Sequence, residues 1–255
     1  MFSFFVIDVG NTSTKWAVST PTKILKEYTF PTRNFTTPSF THNFSQLPKT
    51  PKTAIISSVV PAATKGLQRA LKQLGILRPL IVSSKMDLGI TVRYPRPETI
   101  GADRLVNTVA AIGLYGAPAI VVDFGTAVTF DVISARNEYL GGVIAPGLAS
   151  MTNYLHEQTA LLPQITLKEP SSAIGKSTVS AMQIGAVVGY RGLVREILVA
   201  IQRDMRAHSK NRKSIQVIAT GGHSRLISSE VPEIQFVAPR LTLDGLRLIY
   251  NRQSR

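Results

Sequence analysis

Two stretches of the sequence, FVIDVGNT at residues 5–12 and IVVDFGTA at residues 120–127, resemble each other and decide the fold. In each stretch an apolar run rich in valine and isoleucine ends in Asp-x-Gly, and a second strand-like run follows directly. A single Asp-x-Gly is a common turn, but two copies separated by almost half of the 255 residues indicate a duplication. We therefore predict an α/β protein with two similar halves, residues 1–117 and 118–255.

The sequence around these two stretches alternates between strand-like and helix-like patterns, as α/β folds do. Strands are predicted at residues 4–9, 15–19, 24–29, 54–59, 80–83, 119–122, 127–133, 139–144 and 215–219. Helices are predicted at residues 62–74, 102–114, 147–158, 178–206 and 243–251. The stretch from 31 to 51, which is rich in Thr, Asn, Pro and Phe, is predicted to be a loop or irregular connection.

The composition excludes several classes of protein. Cysteine is absent, which excludes a disulfide framework, a thiolate zinc site, an iron–sulfur cluster and a cysteine nucleophile. The four histidines show no metal-ligand spacing, so we do not expect a transition-metal enzyme. The apolar amino-terminal run has no basic region before it, and no apolar run reaches the roughly 18 residues of a membrane span. We expect a soluble, cytoplasmic protein without a membrane partner.

The net charge of +14 is unusually high for a chain of this length. Such an excess is compatible with nucleic-acid or membrane partners, with anionic small substrates, or with a solvated basic surface. The densest basic stretch, Arg203–Lys213, contains no aromatic residues and follows a long helical pattern. We interpret it as a helix end with a loop, and this stretch does not favour a nucleic-acid partner.

The two Asp-x-Gly turns are candidate phosphate-binding loops. A glycine after a strand permits close backbone approach, and adjacent hydroxyl and amide groups can hold phosphate oxygens. In the first loop Asp8 can carry Mg²⁺, directly or through water, and Lys15 can screen phosphate charge. The alternative for one copy is a plain β-hairpin in which Asp8 closes the turn. The presence of two copies favours the binding site.

A third glycine cluster, ATGGHS at residues 219–224, follows the strand predicted at 215–219. Its paired glycines would let a flat adenine ring lie against bare backbone, although a strand-to-helix turn needs glycine as well. Other nucleotide loops lack support, since no GxGxxG follows a strand and Pro170 occupies the first glycine position of a Walker A loop ending at Ser177. Phosphate binding therefore has to come from the Asp-x-Gly loops.

The cluster YPRPETIGADR at residues 94–104 precedes an apolar helical pattern. Asp103 could accept a hydroxyl proton there, and the neighbouring Arg104 could hold a substrate carboxylate. The alternative is a simple helix start, at which Asp103 interacts favourably with the helix dipole and Arg104 is solvated. Taken alone, the cluster leaves both interpretations open.

Together these motifs resemble the type III pantothenate kinases of the acetate and sugar kinase/Hsp70/actin superfamily. The matching pieces are DVGNTSTKWAV (8–18), Tyr94 with IGADR (100–104), DFGTAVTFDV (123–132), GGVIAPG (141–147), GKST with AMQIG (175–185), ATGG (219–222) and LTLDGL (241–246). They follow the family's order over nearly the whole chain. The resemblance implies a duplicated actin-like, ribonuclease H-like fold with ATP in the cleft between the halves.

The resemblance also implies an activity, phosphorylation of the primary hydroxyl of pantothenate by ATP, which is the first step of coenzyme A biosynthesis. Asp103 corresponds to the general base. ATP-binding roles fall on Asp8, Val9, Gly10, Asn11, Thr12, Ser13, Thr14, Lys15, Thr126, Gly221 and Gly222, with Asp8 near Mg²⁺. Pantothenate contacts fall on Tyr94, Gly101, Ala102, Asp103, Arg104 and Thr178. Asp123 corresponds to a site for a monovalent cation, K⁺ or NH₄⁺.

The resemblance further implies a homodimer in which Thr178 reaches the substrate of the partner subunit. One departure concerns the substrate loop, where the family's Tyr-x-Asn-Pro is replaced by Tyr94-Pro95-Arg96-Pro97. Relatives described as accessory factors for a transcription activator leave a non-enzymatic regulatory role as one alternative. A superfamily kinase for another sugar or small acid is the other, although it would not be expected to contain GADR and AMQIG together.

Overall fold

The computed structural model describes residues 3–34, 37–45, 47, 50–208 and 213–254. Its strands are β1 (Phe4–Val9), β2 (Ser13–Ser19), β3 (Ile24–Pro31), β4 (Ala54–Ser58), β5 (Leu80–Ile81), β6 (Thr91–Val92), β7 (Ala119–Phe124), β8 (Ala127–Ile133), β9 (Glu138–Pro146), β10 (Gln216–Gly221) and β11 (Phe236–Val237). Its helices are α1 (Thr37–Ser45), α2 (Pro61–Gln73), α3 (Ala102–Tyr115), α4 (Leu148–Gln158), α5 (Thr178–Ala207), α6 (Ser224–Ser228) and α7 (Leu241–Gln253). Short 3₁₀ turns occupy Thr32–Asn34 and Pro97–Thr99. No helix in these ranges is both long and apolar enough to cross a membrane.

The chain forms two compact units, one of Met1–Leu114 with Arg240–Arg255 and one of Tyr115–Pro239. The division therefore differs from the predicted halves 1–117 and 118–255, because α7 belongs to the first unit. The ring of Tyr250 on α7 stacks on Phe4 with ring centroids 3.8 Å apart, and its hydroxyl lies 2.6 Å from the Thr53 hydroxyl. These contacts join segments that are distant in sequence, which local pattern cannot indicate.

The sheet of the first unit has the strand order β3-β2-β1-β4-β5. Strands β1, β2 and β3 are antiparallel neighbours, whereas β4 and β5 continue parallel to β1. Alternate residues of β1 face opposite sides of the sheet. Phe5, Ile7 and Val9 therefore enter one core with α1 and α2, while Phe4 lies under α7 on the other face.

The strands of the second unit repeat this topology, since they follow the order β11-β10-β7-β8-β9. Strand β7 corresponds to β1, and the antiparallel strands β8 and β9 that follow it across the sheet correspond to β2 and β3. The parallel strands β10 and β11 on its other side correspond to β4 and β5. Its core packs the β7 residues Ile120, Val122 and Phe124 against Val194 and Leu198 of α5. The repeated topology confirms the predicted duplicated α/β fold.

The stretch predicted as a loop, residues 31–51, contains the helix α1. Phe40 and Phe44 are one helical turn apart on α1, and both are fully buried in the core of the first unit. The edge of the Phe44 ring meets Trp16 of β2 with centroids 4.6 Å apart. The helix is thus stabilised by tertiary packing rather than by the propensity of its residues.

Candidate functional site

The first Asp-x-Gly loop starts where β1 ends, with Asp8 paired to Lys15 on β2 and to Ser57 on β4. Residues directly opposite each other in neighbouring strands point to the same face of a sheet. The Ser57 side-chain oxygen is buried and makes no hydrogen bond. A carboxylate beside an unsatisfied hydroxyl is an arrangement that a hydrated Mg²⁺ or a phosphate group can complete.

The turn from Gly10 to Thr12 is held open by Thr32, which sequence analysis did not single out. The Gly10 amide donates to the Ser13 carbonyl oxygen at 3.1 Å, while the Thr32 hydroxyl donates to the Gly10 carbonyl at 2.7 Å. The Thr32 amide donates to the Thr12 carbonyl at 2.9 Å, so the turn is fixed on both sides. Asn11 and Thr12 at the tip of the turn are exposed.

Two other predicted loop residues are fully buried. Thr14 directs its hydroxyl to Thr32 at an oxygen–oxygen distance of 3.0 Å, and Val9 belongs to the core of the first unit. Their side chains therefore shape the loop from behind. Ser13 and Lys15 are half-buried.

The second Asp-x-Gly loop has the same construction with one residue fewer. The Gly125 amide donates to the Ala127 carbonyl at 3.1 Å, which leaves Thr126 exposed at the tip of the turn. The Thr126 carbonyl accepts hydrogen bonds from the Gly147 amide at 3.1 Å and from the Ser150 hydroxyl at 2.7 Å. A side chain at Gly147 would collide with the Gly125 and Thr126 carbonyl oxygens, so this glycine is what lets α4 begin against the turn.

Asp123 lies beside hydroxyl groups from both neighbouring strands, since it pairs with Thr129 on β8 and with Thr220 on β10. Carboxylate, hydroxyl and carbonyl oxygens are the ligands that hard cations prefer. Within the described ranges no group of three or more His, Asp or Glu could hold a metal ion. A cation near Asp8 or Asp123 would therefore be bound by one carboxylate together with neutral oxygens, water or substrate.

The TGG stretch ends β10 directly against Asp123. Gly221 has a backbone φ of +89°, and a Cβ added there would lie 2.6 Å from Asp123 Oδ1 and 2.6 Å from the Phe124 carbonyl oxygen. Gly222, the next residue, has open space around its Cα. The two glycines therefore have different roles. Gly221 permits the turn, and Gly222 leaves its backbone accessible, with no side chain covering it.

We expect Gly221→Ala to destabilise the protein by about 2 kcal/mol or more, because it adds a left-handed alanine and a collision with the β7 backbone. Gly222→Ala is the matched control, and should change the melting temperature little while raising KM for ATP if adenine lies there. Thermal unfolding and ATP titrations measure both effects. Equal melting temperatures for the two variants would contradict this division of roles.

Asp103 lies in the first turn of α3, and its Oδ1 accepts a hydrogen bond from the Arg104 amide at 2.9 Å. A Cβ at Gly101 would collide with that oxygen and would lie 3.5 Å from Val59, just beyond the end of β4. Since β4 runs parallel to β1, the α3 amino end and Asp8 belong to the same edge of the first sheet. Burial raises the pKa of Asp103, and the Arg104 amide and guanidinium oppose that rise only in part.

The other predicted substrate residues of the first unit lie at this helix start or in the segment before it. Arg104 is half-buried, Ala102 is buried, and Tyr94 is 39% exposed in the segment before the 3₁₀ turn. A largely buried carboxylate with a raised pKa, next to a guanidinium, is an arrangement that can accept a proton from a hydroxyl group.

Thr178 is the first residue of α5 and is exposed. Ser177 caps this helix end, since its hydroxyl accepts from the Ser180 amide at 3.2 Å and its own amide donates to the Ser180 hydroxyl at 3.0 Å. Gly175 lies so close to Ala181 that a Cβ would be 2.5 Å from the Ala181 amide nitrogen. The GKST stretch is therefore a tightly packed helix start and not a phosphate loop.

Two buried residues of α5 hold the segment that leads to Thr178, and sequence analysis did not identify either role. Gln183 donates to the Thr166 carbonyl at 2.9 Å. Arg191, only 7% exposed, donates from Nη1 to Glu169 Oε1 at 2.9 Å and from Nη2 to the Leu226 carbonyl at 2.7 Å. Gln183 belongs to the AMQIG motif, and this motif was the sequence feature that could have indicated a role for it.

Solved structures of other proteins share this fold along nearly their whole length. A candidate Baf family transcriptional activator from Campylobacter jejuni matches with a TM-score of 0.58 and 17% identity over 98% of both chains. A candidate 2-dehydro-3-deoxygalactonokinase from Sinorhizobium meliloti matches with a TM-score of 0.58 and 13% identity, covering 98% of this chain and 99% of that one. At these identities the likeness shows the fold alone.

Comparison of the sequence gives the family. The model of the type III pantothenate kinase family matches residues 4–200, which include both Asp-x-Gly loops, the Asp103 helix start and Thr178. The type III pantothenate kinase of Akkermansia muciniphila is 45% identical over 248 residues, which cover 96% of this chain and 97% of that protein. With the duplicated fold and the loops already in place, this chain belongs to the type III pantothenate kinase family.

Proposed function

We propose that Asp103 is the general base with which this pantothenate kinase activates the primary hydroxyl of its substrate for attack on ATP. The kinase produces 4′-phosphopantothenate in the first step of coenzyme A biosynthesis. The observation that carries the proposal is the burial of the Asp103 carboxylate at the start of α3, which raises its pKa. Phosphoryl transfer depends chiefly on positioning and charge neutralisation, so a carboxylate that orients the hydroxyl is the main protein group required.

For the first Asp-x-Gly loop we propose that the turn Gly10–Thr12 binds ATP phosphates. Asp8 would hold Mg²⁺, directly or through water, and Lys15 opposite it would balance phosphate charge. The unsatisfied Ser57 hydroxyl beside Asp8 supports a polar ligand at this position. Mg²⁺ would neutralise charge on the transferred phosphate.

For the second unit we propose that Thr126 contacts phosphate and that adenine lies against Gly221 and Gly222.

For the substrate loop we propose that Gly101, Ala102, Arg104 and Tyr94 bind pantothenate. Arg104 would pair with the pantothenate carboxylate, because a guanidinium matches a carboxylate in two parallel hydrogen bonds. A cytoplasmic location, where ATP and coenzyme A synthesis coincide, belongs to the same proposal.

We expect the activity to depend on a monovalent cation held at Asp123. K⁺ or NH₄⁺ there would add positive charge near the phosphates, and Asp123→Asn would remove the charge that holds it. Turnover should therefore fall in sodium-only buffer and recover with K⁺ or NH₄⁺ in the wild type, whereas the variant should respond weakly to both. Equal wild-type turnover in Na⁺ and K⁺ would show that this assignment is wrong.

We also propose a homodimer formed through the second unit. Within the described residues one face of α5 is open, since Gly185, Gly189 and Gly192 have open space at their Cβ positions and Val188 is 48% exposed. Apolar side chains nearby in the sequence are exposed as well, namely Met151, Tyr154, Leu155, Leu161, Ile174 and Val179. So many exposed apolar residues in one unit favour a protein partner.

Thr178→Ala tests the assembly, because the exposed Thr178 hydroxyl would contact pantothenate bound by the partner subunit. Losing one hydroxyl contact costs about 0.5–1.5 kcal/mol, so KM for pantothenate should rise several-fold. KM for ATP and the melting temperature should change little. Sedimentation of the wild type should give about twice the 27.7 kDa of one chain. A fully active monomer would exclude the cross-subunit role.

The decisive experiment measures ADP release and 4′-phosphopantothenate together, with saturating ATP, Mg²⁺ and K⁺. Pantothenate-dependent formation of both products in equal amounts is expected, and Asp103→Asn serves as the matched inactive control. A folded protein that forms neither product would favour the regulatory role suggested by the Baf-type structural neighbour. ADP release without phosphopantothenate would indicate ATP hydrolysis instead.

A further inference from the structure

The basic charge of this protein is concentrated in one segment of the first unit. Between Glu27 and Asp87 the sequence contains no Asp or Glu. The same segment contains eight basic residues, Arg33, Lys49, Lys52, Lys65, Arg69, Lys72, Arg78 and Lys85. This segment therefore accounts for more than half of the net charge of +14. The densest run, Arg203–Lys213, lies elsewhere, and its residues 209–212 are outside the described ranges.

Helix α2 orders three of these cations into a stripe. Lys65, Arg69 and Lys72 follow i, i+4, i+7 spacing and are all exposed, while Leu67 and Leu71 on the opposite side are fully buried. The stripe spans about 10 Å along the helix axis. Its cations therefore point away from the core in one direction.

Two further cations extend the stripe at the edge of the sheet where the parallel strands begin. Lys52 and Arg78 are exposed and lie two residues before β4 and β5, which are neighbours. Helix α2 leaves the end of β4 and returns toward the start of β5, so its last turn with Lys72 belongs to the same edge. We call Lys52, Lys65, Arg69, Lys72 and Arg78 the basic face. Across the described part of the chain, none of the five forms an ion pair.

Acidic residues of the same unit are paired with cations elsewhere. Glu27 pairs with Arg240 at 2.7 Å, Asp244 with Arg247 at 3.1 Å and Asp87 with Arg252 at 3.0 Å. In each pair the cation belongs to the carboxyl-terminal segment that contains α7, and α7 covers the opposite side of the sheet from α2. The two faces of the first sheet therefore differ strongly in charge.

We propose that the basic face binds the phosphate backbone of a nucleic-acid duplex without reading its sequence. A duplex presents about six negative charges over the 10 Å that the α2 stripe spans. Among the described residues, the exposed neighbours of the α2 stripe, such as Ala62 and Gln73, are small or polar, so they offer no aromatic platform for unpaired bases. The basic face also lacks the exposed apolar helix side that inserts into a lipid surface; Leu77 is an isolated exposed aliphatic residue beside it.

The basic face is separate from the catalytic groups. Asp8 and Asp103 belong to the edge where β1 and β4 end. Helix α2 begins at that edge and runs away from it, so Lys65 is the nearest cation of the basic face, whereas Lys52, Lys72 and Arg78 lie toward the edge where β4 begins. Strand β4 is five residues long, which places the two edges about 15 Å apart. Duplex binding should therefore leave pantothenate turnover unchanged.

The test compares two variants that lose the same charge. One replaces the five residues of the basic face with Gln; the other replaces five exposed basic residues of the second unit, Arg136, Lys168, Arg203, Arg206 and Lys213. Binding of a labelled 20-base-pair DNA or RNA duplex of arbitrary sequence is followed by fluorescence anisotropy. Five phosphate contacts predict a slope of log K against log salt of about −4.5, hence roughly 500-fold weaker wild-type binding at 200 mM than at 50 mM salt.

We expect the basic-face variant to bind at least about tenfold more weakly at 50 mM salt with a much flatter slope, and the second-unit variant to bind within about threefold of wild type. Turnover and melting temperature should match wild type in both variants. Equal losses in the two variants would overturn the proposal, since they would reflect net charge alone. Binding to anionic lipid vesicles in preference to the duplex would overturn it in favour of a membrane surface.

Discussion

Asp103→Asn should lower kcat by about 100-fold or more while leaving the protein folded, because the variant lacks the carboxylate proposed to accept the hydroxyl proton. The amide keeps an oxygen for the Arg104 backbone hydrogen bond, so the start of α3 is preserved. The same substitution should also change the free energy of unfolding. Burial raises the folded-state pKa of Asp103 above its unfolded value, so stability falls as pH rises from the ordinary carboxyl pKa through the raised one. At neutral pH a neutral Asn should therefore match or exceed the wild-type melting temperature.

Asp244→Asn is the control for turnover, because Asp244 also lies in the first turn of a helix of the same unit, where it pairs with Arg247. If both aspartates act only through the helix dipole, each change should lower stability by up to about 1 kcal/mol and spare turnover. The wild-type kcat/KM should decline on the acid side with an apparent pKa above the ordinary aspartate value. Unchanged turnover in Asp103→Asn would remove Asp103 from the reaction.

Asp8→Asn should reduce kcat by about 100-fold or more and raise the Mg²⁺ concentration needed for half-maximal activity. The reason is that Asn lacks the negative charge that would hold Mg²⁺ against the phosphates. Turnover measured over a series of Mg²⁺ concentrations at saturating ATP and pantothenate tests both effects. The melting temperature should stay near wild type, since Asp8 lies at a strand end.

The duplicated fold supplies a matched comparison for this change. Asp123 occupies the same position at the end of β7 as Asp8 does at the end of β1. Asp123→Asn should weaken activation by K⁺ and leave the Mg²⁺ requirement close to that of the wild type. An identical response of the two variants to Mg²⁺ and K⁺ would contradict the separate roles proposed for the two aspartates.

The sequence was sufficient for the features that depend on neighbouring residues. Strands β1 and β8 occupy the predicted ranges, because an alternating or continuous apolar pattern can be recognised within a single short segment. The two Asp-x-Gly loops and the TGG turn follow strands as predicted. The order of the motifs also indicated the family, which the family model confirmed.

Features that depend on contacts between distant segments could not be predicted in this way. Helix α1 has an unremarkable local sequence and forms because Phe40 and Phe44 fill a core with Trp16. Thr32 holds the first Asp-x-Gly loop from a segment predicted to be irregular. Gly147 and Arg191 act on residues that are far from them in sequence.

The sequence by itself therefore determined the duplicated α/β plan, the positions of the candidate phosphate loops and the residue types of the candidate site. Tertiary structure alone decided that α7 completes the first unit, that Thr14 is buried behind its loop, and that the charge of the first unit divides between two faces. The physical reason is that periodicity and turn chemistry act over a few residues, whereas burial and ion pairing depend on which distant segments the folded topology brings together.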